Sequence, residues 1–146
     1  MKNFTLLLTA LVLSAAHTFA QIKITKIKDK GKDHYLANVI GYPITGIYTY
    51  VNQITPTTIL NEDGTGVMQN EDLTKETIIW GIECSESGIP IFKEGFNSAS
   101  YTFWYKKNTS ASKSTDKAEW TSQQFSIHYD KKKMFISGER VKEYIE

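Results

Sequence analysis

The chain has 146 residues, 40% hydrophobic and 23% charged, with 17 Lys+Arg against 16 Asp+Glu, which fits one ordinary soluble domain. A formal charge of +1 excludes a strongly basic nucleic-acid binder, and a single cysteine, Cys84, excludes an intramolecular disulfide framework and any multi-cysteine metal cluster. An aromatic content of 12% is too high for a disordered chain.

Met1-Lys2-Asn3 is a short positive start, Phe4 to Leu13 an apolar run, and Thr18-Phe19-Ala20 ends in small residues before Gln21. This is the pattern of a secretory signal peptide over residues 1–20. The run is too short for a spanning helix, and Lys23, Lys26, Lys28 and Lys30 follow it closely, so no membrane span is expected after cleavage. The mature protein is expected outside the cytoplasm, secreted or periplasmic.

Residues 21–45 are ambiguous. Ile22, Ile24 and Ile27 can start a strand, and Tyr35 to Ile40 reads as a strand or a short helix. From Gly46 to the C-terminus the periodicity is two, as in strands, throughout. Gly46 to Val51 is β-branched and aromatic, and Thr57 to Leu60 runs into an Asp-Gly hairpin turn at Asn61-Glu62-Asp63-Gly64. Thr77 to Cys84 sets Ile78, Trp80 and Ile82 on one face. Pro90 makes the following strand an edge, a strand start or a bulge. Ser100 to Lys106 opposes Tyr101, Phe103 and Tyr105 to Thr102 and Trp104. Lys107 to Lys117 holds no large apolar residue and reads as a long mobile loop. Trp120 to Tyr129 places Phe125, Ile127 and Tyr129 together, and the lysine turn Lys131 to Lys133 leads into Met134 to Ile136. Hairpin-connected strands in one domain predict an all-β antiparallel meander: a small barrel or half-barrel, or else a two-sheet sandwich.

Few residues suggest chemistry. Ser126, His128 and Asp130 have the composition of a hydrolase triad, but i, i+2, i+4 positions on one strand stand ~7 Å apart and point in parallel, where a triad must converge. His34, His128 and Cys84 lack ligand spacing, and Asn70 occupies the position where a calcium loop like the one starting at Asn61 needs its glutamate. No cofactor or metal is therefore expected. Lys131 to Lys133 reads as a solvated turn, Cys84 as a small buried hydrophobe, and Asn108-Thr109-Ser110 as a glycosylation acceptor only in a eukaryotic host. The aromatics remain. Trp80, Tyr101, Phe103 and Phe125 should point into the barrel together, either closing its core or lining a ligand cup.

The layout resembles a lipocalin-like, or calycin-type, small secreted β-barrel from about Gly46 onward. Gly46-Ile47-Tyr48 is similar to that family's Gly-x-Trp on the first strand, with tyrosine in place of tryptophan. Gly138-Glu139-Arg140 supplies the one arginine of the chain. The resemblance implies that Arg140 packs across Tyr48 and closes one barrel end, as a planar guanidinium can and an ammonium cannot. Beyond the fold it implies little chemistry; the first functional expectation is a binding module holding a small apolar or amphipathic ligand, and not an enzyme. The competing expectation is a protein-interaction module, such as an inhibitor or envelope accessory protein, with a filled core and another exported protein as partner. A hydrolase is the least supported.

Overall fold

The computed structural model describes residues 23–108 and 118–144. The expected signal peptide over residues 1–20, and residues 109–117 of the expected long loop, lie outside the described residues. Eleven strands are present among the described residues: β1 (Ile24–Asp29), β2 (Lys32–Ala37), β3 (Gly46–Thr49), β4 (Pro56–Leu60), β5 (Thr65–Gln69), β6 (Lys75–Cys84), β7 (Phe92–Gly95), β8 (Ser98–Lys107), β9 (Thr121–His128), β10 (Lys133–Phe135) and β11 (Glu139–Arg140). All pairings are antiparallel. Eight strands, β3-β4-β5-β6-β8-β9-β10-β11, follow one another as neighbours, and β11 pairs back to β3. The sheet is thus a closed up-and-down barrel, neither half-barrel nor sandwich.

Alternation fills the barrel. Tyr48, Leu60, Met68, Ile78, Trp80, Ile82, Tyr101, Phe103, Phe125, Ile127, Met134 and Ile136 form one buried cluster. An eight-stranded barrel is just wide enough for such side chains to meet in the middle. The segment entering β3 and the segment leaving β11 fold across the same barrel end, contributing Ile40, Ile44 and Tyr144 to the cluster. Tyr42 meets Tyr144 edge-on at 5.3 Å, and the Tyr144 amide donates to Lys132 O at 3.1 Å. This is the closed end. The opposite, open end carries the β3–β4, β5–β6 and β10–β11 connections.

The ambiguous stretch before Gly46 is a hairpin, with β2 a strand and not a helix. β5 pairs with β6 over Lys75 to Ile79, and β2 takes over the same edge at Ile82 to Cys84. The hairpin then lies outside the barrel wall, where Ile27 and Leu36 pack against Trp104 beside Trp120. Gly81 permits this, since a Cβ there would come within 2.8 Å of Leu36 Cβ. Trp104 consequently is only 6% exposed although it sits on the outer face. Pro90 lies outside any strand, in an isolated bridge to Cys84, and β7 ends the order of strands as an edge.

Two turns flanking β5 repeat one device. Asn61-Glu62-Asp63-Gly64-Thr65 and Asn70-Glu71-Asp72-Leu73-Thr74 share every residue but the fourth. In each, the aspartate carboxylate accepts from the threonine amide and hydroxyl, and the asparagine amide donates to the threonine hydroxyl. These hydrogen bonds hold the Asp63 and Asp72 carboxyls below the ordinary aspartate range. The fourth residue is left-handed in both, with φ 83° at Gly64 and φ 67° at Leu73. A leucine Cβ is strained there, and Leu73 is 73% exposed, so burial gives little in return. Leu73→Gly should therefore raise the stability by about 1 kcal/mol, read as a higher urea midpoint with an unchanged slope.

Candidate functional site

Arg140 and Tyr48 face each other in the β11–β3 ladder. The Tyr48 ring is fully buried and its hydroxyl donates to Ile44 O at 2.6 Å. Burial pushes its phenol pKa up, against the field of Arg140. The guanidinium lies over Gly46, where a Cβ would come within 3.3 Å of Arg140 Nε; φ is 129° at this glycine. Arg140 Nε donates to Thr45 O at 3.0 Å and Nη1 to Lys142 O at 2.6 Å. One planar cation thus ties the segment entering the barrel to the segment leaving it. Arg140→Lys keeps the charge but loses the fork, and should cost about 2 kcal/mol in urea melts.

The four aromatics anticipated for a ligand cup lie deep in the barrel. Trp80 stacks on Phe103 with centroids 6.0 Å apart, and its indole N–H donates to Thr65 O. Tyr101 packs on Phe125 at 5.5 Å and on Phe92 at 5.3 Å. Burial, with smaller contributions from Tyr129 and Tyr42, pushes the Tyr101 pKa up to about 12. Phe103 and Phe125 are fully buried. None of the four lines either of two cavities at the surface.

The first of these cavities occupies the open end. It measures about 470 Å³ and is bordered by Thr57, Met68, Leu73, Tyr105, Gln123 and Ser137, with Tyr50, Gln69, Asn70 and Glu71 completing its lip. Strand alternation sets the depth. Along β8, Tyr101 and Phe103 fill the interior and Tyr105 is the next inward residue toward the mouth. Along β9, Ile127 and Phe125 are followed by Gln123. The Phe103 and Tyr105 rings sit 5.8 Å apart, so the aromatic column forms the cavity floor. A register shift between Tyr48 and Thr49 marks a β-bulge that brings Thr57 to the mouth, where its hydroxyl donates to Tyr48 O.

Among the described residues, two buried polar atoms in this half of the barrel have no hydrogen-bond partner, Gln123 Nε2 and Thr58 Oγ1. Gln123 Oε1 accepts from Ser137 Oγ at 3.1 Å, which leaves the amide N–H₂ as an unused donor. Thr58 pairs across the sheet with Met68, itself part of the cavity wall. Buried donors without partners are rare in folded proteins and ask for an explanation. Gln123 was discoverable from the sequence as the one polar residue on the inward face of Gln123, Phe125 and Ile127. Tyr50, Thr57, Leu73 and Ser137 carried no comparable signal, because turn geometry brings them together.

The second cavity, about 520 Å³, is a groove on the outside of β3 and β11, lined mainly by Ile47, Tyr50, Val51, Ile54, Pro56 and Val141. On the opposite wall, His34 Nδ1 and Glu83 Oε1 pair at 2.8 Å, Trp104 donates to Glu83 Oε2 at 3.2 Å, and the His34 ring lies 4.7 Å from Trp104. This cluster fastens the outer hairpin. Burial of Glu83 opposes its ionised form, but hydrogen bonds from His34, Trp104 and Thr102 outweigh it and hold the carboxyl below the ordinary value of 4.5. A depressed folded pKa contributes stability that is present above the unfolded pKa and is lost as pH falls through the folded one. Below pH 4.5 the wild type should thus lose stability more steeply than Glu83→Gln, in thermal melts followed across that range.

The remaining sequence candidates do not converge. His128 sits edge-on to Phe135 at 5.0 Å, and the Asp130 carboxylate accepts from the Lys131 amide within its own turn. Cys84 is buried, and burial raises its thiol pKa. Among the described residues no group of three or more His, Cys, Asp or Glu can hold a metal ion. The chain matches no protein-family model, and no curated protein or solved structure matches it.

Proposed function

We propose that this chain is an exported, lipocalin-like binding module that holds one small amphipathic molecule at the open end of its barrel. The observation that carries this reading is the 470 Å³ cavity at the mouth, with Gln123 among its lining residues. Its size falls within the range of small-molecule sites, and its lining is mainly polar with a smaller apolar part. Met68, Leu73, Tyr50 and Tyr105 supply the apolar side; Thr57, Gln123 and Ser137 supply hydrogen bonding. The signal-like segment over residues 1–20 and the Gly46-Ile47-Tyr48 and Arg140 arrangement are in keeping with a small secreted lipocalin-like barrel.

A second reading has its own support. The barrel is filled below the mouth, and the outer groove presents Ile47, Tyr50, Val51, Ile54 and Val141 as exposed apolar residues, as a surface for another exported protein would.

Titration of residues 21–146 with Nile red, a neutral apolar fluorophore, separates the two. The binding module should show saturable fluorescence enhancement with one site per chain. Phe103→Ala should cost about 3 to 5 kcal/mol, since it opens a void in the packed column, yet should still bind dye wherever it is folded. Absence of saturable binding to the wild type would discard the cup and favour the groove.

A further inference from the structure

We infer that the open-end cup takes an uncharged sugar, a ring with hydroxyls around its edge and C–H groups on its faces. The inference rests on the cup being a ligand site and names the class of molecule that fits it. The lining gives the first reason. Amides from Gln69 and Asn70, hydroxyls from Tyr50, Tyr105 and Ser137, and the Glu71 carboxylate border one space of about 470 Å³. A hydrocarbon that displaced the water from these groups would leave them without partners, which is costly. A sugar hydroxyl donates and accepts at once, so a ring that carries several can satisfy such a mixed set.

Part of that set is uncommitted. The Asn70 amide donates to Thr74 Oγ1 within its own turn, but the side chains of Tyr50, Gln69, Glu71 and Tyr105 make no hydrogen bond to another described residue. Glu71 can only accept, and two adjacent hydroxyls are a neutral partner that fills both of its oxygens. The smaller apolar part of the lining suits the faces of the ring. Tyr50 and Tyr105 present aromatic rings beside Met68 and Leu73, and the electron-rich face of an aromatic ring attracts the C–H groups of a sugar. The Tyr105 ring, 5.8 Å from Phe103, continues the aromatic floor. Charge narrows the class further. No Lys, Arg or His borders the cavity among the described residues, and the one carboxyl there is Glu71. An acidic sugar would meet that carboxylate with no cation at the wall to offset it, after surrendering part of its hydration.

The test is displacement of Nile red from the purified protein at neutral pH by the methyl glycosides of glucose, galactose and mannose, each against the matching methyl uronide, which differs only in carrying a carboxylate. At least one glycoside should displace the dye, and should do so at least about fivefold more effectively than its uronide. Glu71→Ala removes an exposed side chain that takes no part in the hydrogen bonds of its turn, so the variant should fold and hold the dye. It should lose about five- to tenfold in glycoside affinity. Glu71→Gln keeps an acceptor oxygen without the charge; it should recover part of that affinity and narrow the gap between glycoside and uronide. Dye binding with no displacement by any glycoside up to about 100 mM overturns the sugar and leaves the cup in place. Equal displacement by glycoside and uronide, or glycoside affinity unchanged in both Glu71 variants, overturns the proposed recognition in the same way. Failure of the wild type to bind the dye overturns both the cup and the sugar.

Discussion

Closure of the sheet on itself is the constraint from which the rest of this structure follows, and it hangs on the shortest strand. β11 is Glu139–Arg140 alone, and its pairing with β3 consists of Glu139 opposite Thr49 and Arg140 opposite Tyr48. So short a ladder cannot hold a barrel by backbone hydrogen bonds alone. The guanidinium adds what is missing, with hydrogen bonds to Thr45 O and Lys142 O, and Lys133 adds an ion pair to Glu139 at 2.8 Å. The Val141 amide continues the seam by donating to Ile47 O. A lysine-rich chain that keeps one arginine keeps it where a planar, forked donor meets carbonyls from two directions.

Closure also fixes where a ligand can go. Once eight strands are joined, inward side chains either fill the interior or leave space at an end. Large residues at nearly every inward position of β6, β8 and β9 choose filling, and the crossing segments with Ile40, Ile44 and Tyr144 seal one end. Among the described residues space survives at the other end, where inward positions turn from Phe103 to Tyr105 and from Phe125 to Gln123 and so from apolar to polar. The mouth is thereby the end of the barrel that the described crossing segments leave unsealed. Packing and polarity point to the same location.

The outer hairpin shows a different use of the same sheet. β1 and β2 extend β6 beyond the reach of β5 and cover Trp104, with the His34–Glu83 pair bridging hairpin and barrel. The free edge of β1 carries Lys26 and Lys28, charges that discourage a further strand from adding. Edge management is thus electrostatic on this side, whereas the barrel has no edges to manage.

The sequence by itself determined the all-β antiparallel class, the hairpin turns and the inward set of Trp80, Tyr101, Phe103 and Phe125. Each of these depends on local rules: period-two alternation, turn chemistry, and the preference of large apolar residues for one face. It left residues 21–45 undecided, because a short apolar pattern suits either strand or helix until a partner edge exists. Only the tertiary structure decided that β2 finds such an edge on β6, that Trp104 is buried from outside, and that the aromatic column is closed while the cavity sits above it. Those outcomes depend on pairs distant in sequence, Leu36 with Gly81 or Gln123 with Ser137, whose meeting is set by barrel registry and by bulges that no local periodicity encodes.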